Sequence, residues 1–537
     1  MTPKMTKQNW PTWTVFSGLW LVLLLIPLLN RTVLPVDETR YLAVAWEMWN
    51  RGDWLVPYLN GEAYHHKPPL LFWLIHLGWT LFGVNEWWPR LVPGFFSLGS
   101  LFLSAHLARQ LWPQHPQIAQ WVPLILLSFL WWSLFTSAIM FDLVLAFFTL
   151  LGMVALVKKS WGWLGIAIGL GVLTKGPVIL LHLLPVALLA PIWQRTRPFP
   201  WQTWYLGLLG SILLGALIAL AWAIPAAIVG GEAFREAIFW GQTANRLVNS
   251  FAHQHPFWWY LPLLPVILFP WLLWLPLWRG LLQLPQHIDN SGIRFCLIWF
   301  ILVFIGFSLV SGKQLHYLLP TLPAFALLTA YLIVKLPTEQ QHQRWDTVLP
   351  GLVIILAGLL LLIAPYLAST VRVPFWITQI SSLPAFILIL FGILLIVSTL
   401  PHIKYRLILL STTGILFSLC VPLSIIRAAG QAYDLHDISQ YINTLFKRGQ
   451  TVVHFGEYHG QFQFLGRLQQ PLPVIDEYNL CPWLTQHPDG KLVIYFSGRY
   501  QDLSQQADYV QNYRSKQVGI LDAHFMYSAC TKWMLYQ

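Results

Sequence analysis

Apolar residues run through this chain in blocks longer than any amphipathic period explains. Residues 13–29, 118–135, 204–229, 297–310, 349–367 and 383–400 contain no Asp, Glu, Lys or Arg. A helix needs about 20 mostly apolar residues to cross the hydrocarbon layer, so these blocks read as all or part of membrane spans. Fourteen apolar segments can be marked out in total. One of them, 70–83, is short, carries His76 and follows Lys67-Pro68-Pro69, a break that suits a helix start. Read as interfacial, it leaves thirteen spanning helices.

The polar positions between the blocks give an orientation. With Lys4 and Lys7 placed inside, the inner connections carry Arg109, Lys158-Lys159, Arg195 and Arg197, Arg279, Lys335 and Arg344, then Lys404 and Arg406. Basic residues concentrate in cytoplasmic loops, and counting 70–83 as a span would move every later cation to the wrong side. Outside lie the loops 35–87 and 230–256, the surroundings of Asp142, the turns at 174–177 and 311–314, and 368–377. The N-terminus shows no small-x-small cleavage site before Asn30-Arg31 and reads as an uncleaved first helix.

After residue 427 the pattern changes. The stretch 428–537 alternates short apolar runs with Gly and Pro, and predicts a small α/β extracytoplasmic domain. It has a helix over 438–447 capped by Asp437 and buried strands at 451–455 and 492–496. The expected architecture is therefore an all-α polytopic membrane domain over 1–427 followed by an α/β unit over 428–537.

Composition agrees. Hydrophobic residues make up 56% of 537 and charged residues 10%, against about 25% charged in soluble domains. Many of the 31 Trp stand at the ends of apolar blocks, where an aromatic belt belongs. The net charge of +11 divides into 24 Lys/Arg against 12 Asp/Glu before residue 428, and 8 against 9 after it. The basic excess thus belongs to the membrane part and reflects topology, not nucleic acid, for which no tract exists. Four Cys exclude a disulfide scaffold, and a Cys481–Cys530 pair is open to an extracytoplasmic tail.

Candidate chemistry follows from the scarcity of acids. None occurs from Thr347 to Tyr433, whereas five of the twelve acids in the membrane part fall between Asp37 and Glu62. Asp142 stands nearly alone among apolar residues, a costly placement that usually marks a working cavity, although capping the next helix is an alternative. Asp37 and Glu38 at the exit of the first helix suit a base or a bound cation; an ordinary helix start with Arg40 as partner explains the same pattern. Lys67 beside two prolines suits a lipid phosphate, or a snorkelling role. Lys175, Arg246 and Lys313, with Tyr317 four residues on, place further positive charge at outer turns against the topological trend. His65 and His66 are surface histidines or metal ligands.

Taken together, these segments resemble the GT-C membrane glycosyltransferases, in the protein-O-mannosyltransferase and aminoarabinose-transferase-like branch. The carriers are Asp37-Glu38-Thr39-Arg40-Tyr41, Gly52-Asp53-Trp54-Leu55-Val56-Pro57, Lys67-Pro68-Pro69, Asp142, Thr174-Lys175-Gly176-Pro177 and the 313–320 segment. The resemblance covers roughly residues 10–330. It implies thirteen helices, an outward-facing cavity and inverting transfer of a hexosyl or pentosyl group from a polyprenyl-phosphate donor. The acceptor would be a lipid A-like glycolipid, another envelope glycan or a protein. Asp37 would be the leading catalytic carboxylate and Asp142 a second essential acid. Lys67, Arg246, Lys313, Tyr317, Arg40, Tyr41 and Lys175 would bind the donor. His66 stands where the aminoarabinose enzymes place Glu before Lys-Pro-Pro, so a divalent metal between His66 and His255 remains an alternative and no cofactor is required. The resemblance further implies a periplasmic site; with the cytoplasmic N-terminus of the charge pattern, the expectation is a monomer of the bacterial inner membrane. A transporter or flippase of a lipid-linked sugar is the competing reading.

Overall fold

The computed structural model describes residues 10–194, 198–241, 254–341, 343–368, 373–400, 402–497 and 501–526. The chain is a multi-pass helical membrane protein carrying a small C-terminal sheet domain. It opens with α1 (Trp10–Asn30), α2 (Asp37–Arg51), α3 (Leu70–Phe82), α4 (Trp87–Leu111), α5 (Pro116–Ser128), α6 (Leu130–Phe135), α7 (Asp142–Lys158), α8 (Trp161–Lys175) and α9 (Val178–Leu188). Among the described residues seven helices are long and apolar enough to cross a bilayer, including α1, α4, Trp201–Val229 and Ile403–Ala429. Shorter apolar helices, α8, α9 and Ser382–Val397 among them, pack between these.

Helix α3 has 13 residues, about 20 Å at 1.5 Å per residue, against a hydrocarbon layer of about 30 Å. It packs on α2 and α4. The block 118–135 is broken: Phe129 has extended backbone between α5 and α6, and the Leu130 amide turns to the Phe269 carbonyl at 3.0 Å. The break brings the Ser128 carbonyl against Gly414 so closely that a Cβ there would lie 2.1 Å away. Close approach also sets α8 on Trp201–Val229, where Gly165 and Gly169 receive Leu214 and Ile218. Without a hydrophobic drive between helices in lipid, such small-residue contacts supply the van der Waals packing.

The tryptophans divide between surface and interior. Trp87, Trp240 and Trp258 are exposed, whereas Trp132, Trp204 and Trp271 are fully buried. Several buried indoles find acceptors, as from Trp132 to Ser97 Oγ at 2.9 Å and from Trp271 to Ser128 Oγ at 2.8 Å. Part of the expected belt is therefore core, where an indole either reaches one polar partner or, as at Trp274 and Trp299, packs without one.

The C-terminal unit holds β3 (Val452–Phe455), β4 (Val474–Ile475), β5 (Lys491–Phe496), β6 (Ala507–Tyr513) and β7 (Lys516–Asp522) in the order β4-β3-β5-β7-β6; β1 (Tyr58–Leu59) and β2 (Glu62–Ala63) form a hairpin in the loop 35–87. Strand β3 runs parallel to β4 and β5, and β7 antiparallel to β5 and β6. Val453, Leu492 and Ile494 face the unit's own small core, while Val452, Val493 and Ile520 face the main core shared with the membrane helices. Burial on both faces is why 452–455 and 491–496 read as continuous apolar runs. One detail differs from expectation. The helix begins at His436, and Asp437 sits in its first turn without capping it; the Asp434 carboxylate instead accepts from the His436 amide at 3.0 Å.

Candidate active site

The site forms where four segments end at one pole of the helical body. Helix α2 starts at Asp37 directly after the turn out of α1. The hairpin β1–β2 delivers residues 64–67. Helix α7 begins at Asp142. Helix α8 ends at Lys175, where Gly176 with φ +76° and Pro177 turn the chain into α9. Gly past a helix end and Pro at the next start are the residues such a turn demands. A 3-10 turn, Leu315–Thr321, adds His316 and Tyr317.

The two adjacent acids of the Asp37-Glu38 pair have opposite environments. The Glu38 side chain is 6% exposed and saturated. Arg31 meets it in a fork at 2.6 and 2.8 Å, and the amides of Leu34 and Ile139 donate at 2.8 and 2.9 Å. Arg31 also reaches the Ser137 carbonyl at 2.6 Å, and Arg90 holds the Arg31 carbonyl at 2.7 Å. This clasp ties the end of α1, the start of α2 and the turn ahead of α7 together. Asp37, in contrast, has a side chain 52% exposed, ion-paired with Arg40. Arg40 lies over the Tyr41 ring at 5.4 Å and is coupled to the buried Tyr64.

Asp142 is buried, its side chain 2% exposed, and accepts from Lys175 Nζ at 2.6 Å. Neither Asp37 nor Asp142 caps its helix. Lys175 lies over the Tyr317 ring at 4.7 Å. His316 and Lys67 also lie within electrostatic reach of Asp142, and Lys67 stands 5.8 Å from the Phe141 ring centre. Phe141 in turn meets Tyr41 edge to face at 4.9 Å. Asp37, Arg40, Tyr41, Lys67, Asp142, Lys175 and Tyr317 thus form one connected constellation, joined by Tyr64, Phe141 and His316. The linear sequence gave these last three no distinguishing spacing.

Other expected residues lie differently. Lys313 is buried and its ammonium donates to the carbonyls of His255 at 2.9 Å and Val310 at 2.5 Å. It fastens the end of the Ser291–Leu309 helix to the outer loop. His255 stacks flat on Trp259 with ring centres 4.2 Å apart, while His66 lies beside Tyr64 and His65. Among the described residues no group of three or more His, Cys, Asp or Glu gathers into a metal cage. Arg246 lies outside the described residues, as does Cys530; Cys481 is disulfide-bonded.

Residues 14–229 match the family described as dolichyl-phosphate-mannose-protein mannosyltransferase. The undecaprenyl phosphate-alpha-4-amino-4-deoxy-L-arabinose arabinosyl transferase of Pseudomonas paraeruginosa is 32% identical over 348 residues, 61% of this chain and 60% of that protein. The enzyme of the same description from Erwinia tasmaniensis is 32% identical over 339 residues, 60% and 59% of the two chains. The chain spans about three fifths of the length of the curated relatives it matches. Among solved structures, ArnT from Cupriavidus metallidurans bound to undecaprenyl phosphate superposes with a TM-score of 0.75 at 20% identity, covering 95% of this chain and 98% of that one. The archaeal oligosaccharyltransferase AglB from Archaeoglobus fulgidus superposes with a TM-score of 0.51 at 12% identity, covering 90% and 70%.

Proposed function

We propose that this chain, a membrane protein of GT-C glycosyltransferase fold related in sequence to the aminoarabinose transferases, moves a sugar with inversion from a polyprenyl-phosphate donor to an extracytoplasmic acceptor. The acceptor class is a lipid A-like glycolipid, another envelope glycan or a protein. Thirteen spanning helices, a cytoplasmic N-terminus and a periplasmic site in the bacterial inner membrane complete the reading. A disulfide at Cys481 supports a tail in an oxidising compartment.

The observation that carries the proposal is the gathering of one open carboxylate, one buried ion pair and several cations at a single pole. Exposure separates the two acids. Asp37, half exposed beside Arg40, is the carboxylate an acceptor can reach. Asp142, sealed against Lys175, fixes the position of that ammonium. In the reaction the bond from the anomeric carbon to the donor phosphate breaks, and the acceptor oxygen bonds the same carbon from the opposite face. Lys67 and Arg40 receive the negative charge developing on the departing polyprenyl phosphate, a stabilisation that grows toward the transition state. A hydroxyl acceptor gives its proton to Asp37; a phosphate acceptor has none to give, and Asp37 then orients it.

The test uses purified protein in nanodiscs with radiolabelled polyprenyl-phosphate sugars and an envelope extract. Label passes to an acceptor with the wild type and falls about 100-fold or more with Asp37→Asn, the usual size of a lost general base. Equal transfer by the two proteins refutes the role of Asp37. Absence of transfer from every donor refutes the function.

A further inference from the structure

The C-terminal unit meets the outer loop through one side chain with unusual connectivity. Asn60 sits at the tip of the β1–β2 hairpin with φ 54°, a left-handed conformation that Asn tolerates and most residues do not. Its Oδ1 accepts from the Leu472 amide at 2.8 Å and from Gln463 Nε2 at 2.6 Å, and its Nδ2 donates to the Leu472 carbonyl at 2.9 Å. The side chain therefore pairs with residue 472 as a strand neighbour would, across more than 400 positions of sequence. The surroundings reinforce it. The Gly61 amide donates to Glu47 Oε1 at 2.9 Å, and Gly61 abuts Pro471. Gly460, with φ +76°, fits against Leu59 and Ala43, and a Cβ there would come within 2.5 Å of Leu59 Cδ1.

Four residues beyond Asn60 the same strand turn delivers Tyr64 to the site, and Lys67 follows. The Tyr64 amide is held by the Pro57 carbonyl at 2.7 Å, so the hairpin is a short lever with its tip in the C-terminal unit and its far end in the site. We infer that Asn60 is a positioning residue through which the C-terminal domain holds the Tyr64–Lys67 segment in its phosphate-binding arrangement. This rests on the function proposed above for what Lys67 contacts; the mechanical link stands on the contacts alone. It gives the C-terminal domain a part in the proposed transfer site through the position of this segment.

Asn60→Gly is the informative variant, because glycine keeps the left-handed backbone and deletes all three bonds. Asn60→Asp keeps the two accepted bonds and loses the donated one. Full-length proteins in nanodiscs are compared by amide hydrogen exchange and by binding of undecaprenyl phosphate. Exchange over residues 62–67 rises about tenfold in Asn60→Gly, returns part of the way in Asn60→Asp, and stays unchanged across β3 and β5. Affinity for undecaprenyl phosphate falls about five- to tenfold, as loss of one or two net hydrogen bonds predicts. In the double variant with Lys67→Ala, Asn60→Gly adds nothing further, because both act through one contact. Unchanged exchange at 62–67 overturns the inference, as do additive effects in the double variant. A wild type that does not bind undecaprenyl phosphate refutes the proposed function instead, and the exchange comparison still decides the lever.

Discussion

Glu38 and Asp37 are neighbours in sequence and on one helix turn, yet one is saturated and the other open. Successive residues on a helix point about 100° apart, so the bundle interior takes Glu38 and leaves Asp37 at the surface of the site. The consequence is a sharp difference in what their replacement does. Glu38→Ala strands Arg31 in a buried setting, and removing one member of such a pair costs about 3–5 kcal/mol. Detergent or denaturant unfolding of Glu38→Ala shows that loss, and Arg31→Met in the same protein restores part of it. Asp37→Asn leaves unfolding within about 0.5 kcal/mol, because an exposed ion pair contributes little. Lys313 resembles Glu38 in this respect, its buried ammonium being committed to two carbonyls.

At the scale of elements, the docking of the C-terminal unit is electrostatic as well as apolar. His436 lies between Asp434 at 2.6 Å and Glu86 at 2.8 Å. Their hydrogen bonds push its pKa from 6.5 up to about 10, against the opposing effect of burial. Glu86 and Asp434 are held below their ordinary values of 4.5 and 3.8, chiefly by their bonds to His436 acting against burial. The signs follow from linkage. The raised histidine contributes fully below pH 6.5, and its contribution is lost as pH climbs toward 10. The lowered carboxylates contribute above their ordinary values and fade as pH falls beneath them. Docking is therefore firmest between about pH 4.5 and 6.5 and weakens progressively above. Protease sensitivity of the segment joining Ile403–Ala429 to β3, followed from pH 5 to 10, rises along this course; in His436→Gln it is higher and flat above pH 6. A wild type flat from pH 6 to 10 contradicts the account.

Across the whole molecule the charges divide between two poles. Arg279, Asp346 and Arg406 meet at one, with Arg279 to Asp346 at 2.5 Å, and the constellation around Asp37 and Asp142 occupies the other. In the proposed orientation the first pole is cytoplasmic. In protein whose native cysteines are replaced, a single Cys at Lys158 reacts with an impermeant thiol reagent only after the membrane is opened. One at Tyr478, which is 83% exposed, reacts in intact spheroplasts. The reverse pattern inverts the topology and places the site in the cytoplasm.

The amino-acid pattern alone settles the class of this protein, since repeated uncharged apolar blocks have no soluble solution, and it singles out the candidate residues, since an acid or cation near a bilayer is costly. The strands 452–455 and 491–496 were legible for a related reason, their two-sided burial leaving no polar alternation. The sequence did not reveal the break at Phe129, which hydrophobicity cannot register, or the tryptophans that are core instead of belt. Nor could spacing assign Glu38 to a clasp, Asp142 to a lysine 33 positions away, or Asn60 to residue 472. Those are properties of partners brought together by packing, and a side chain's chemistry depends on its exposure and its nearest charges, which only the assembled fold specifies.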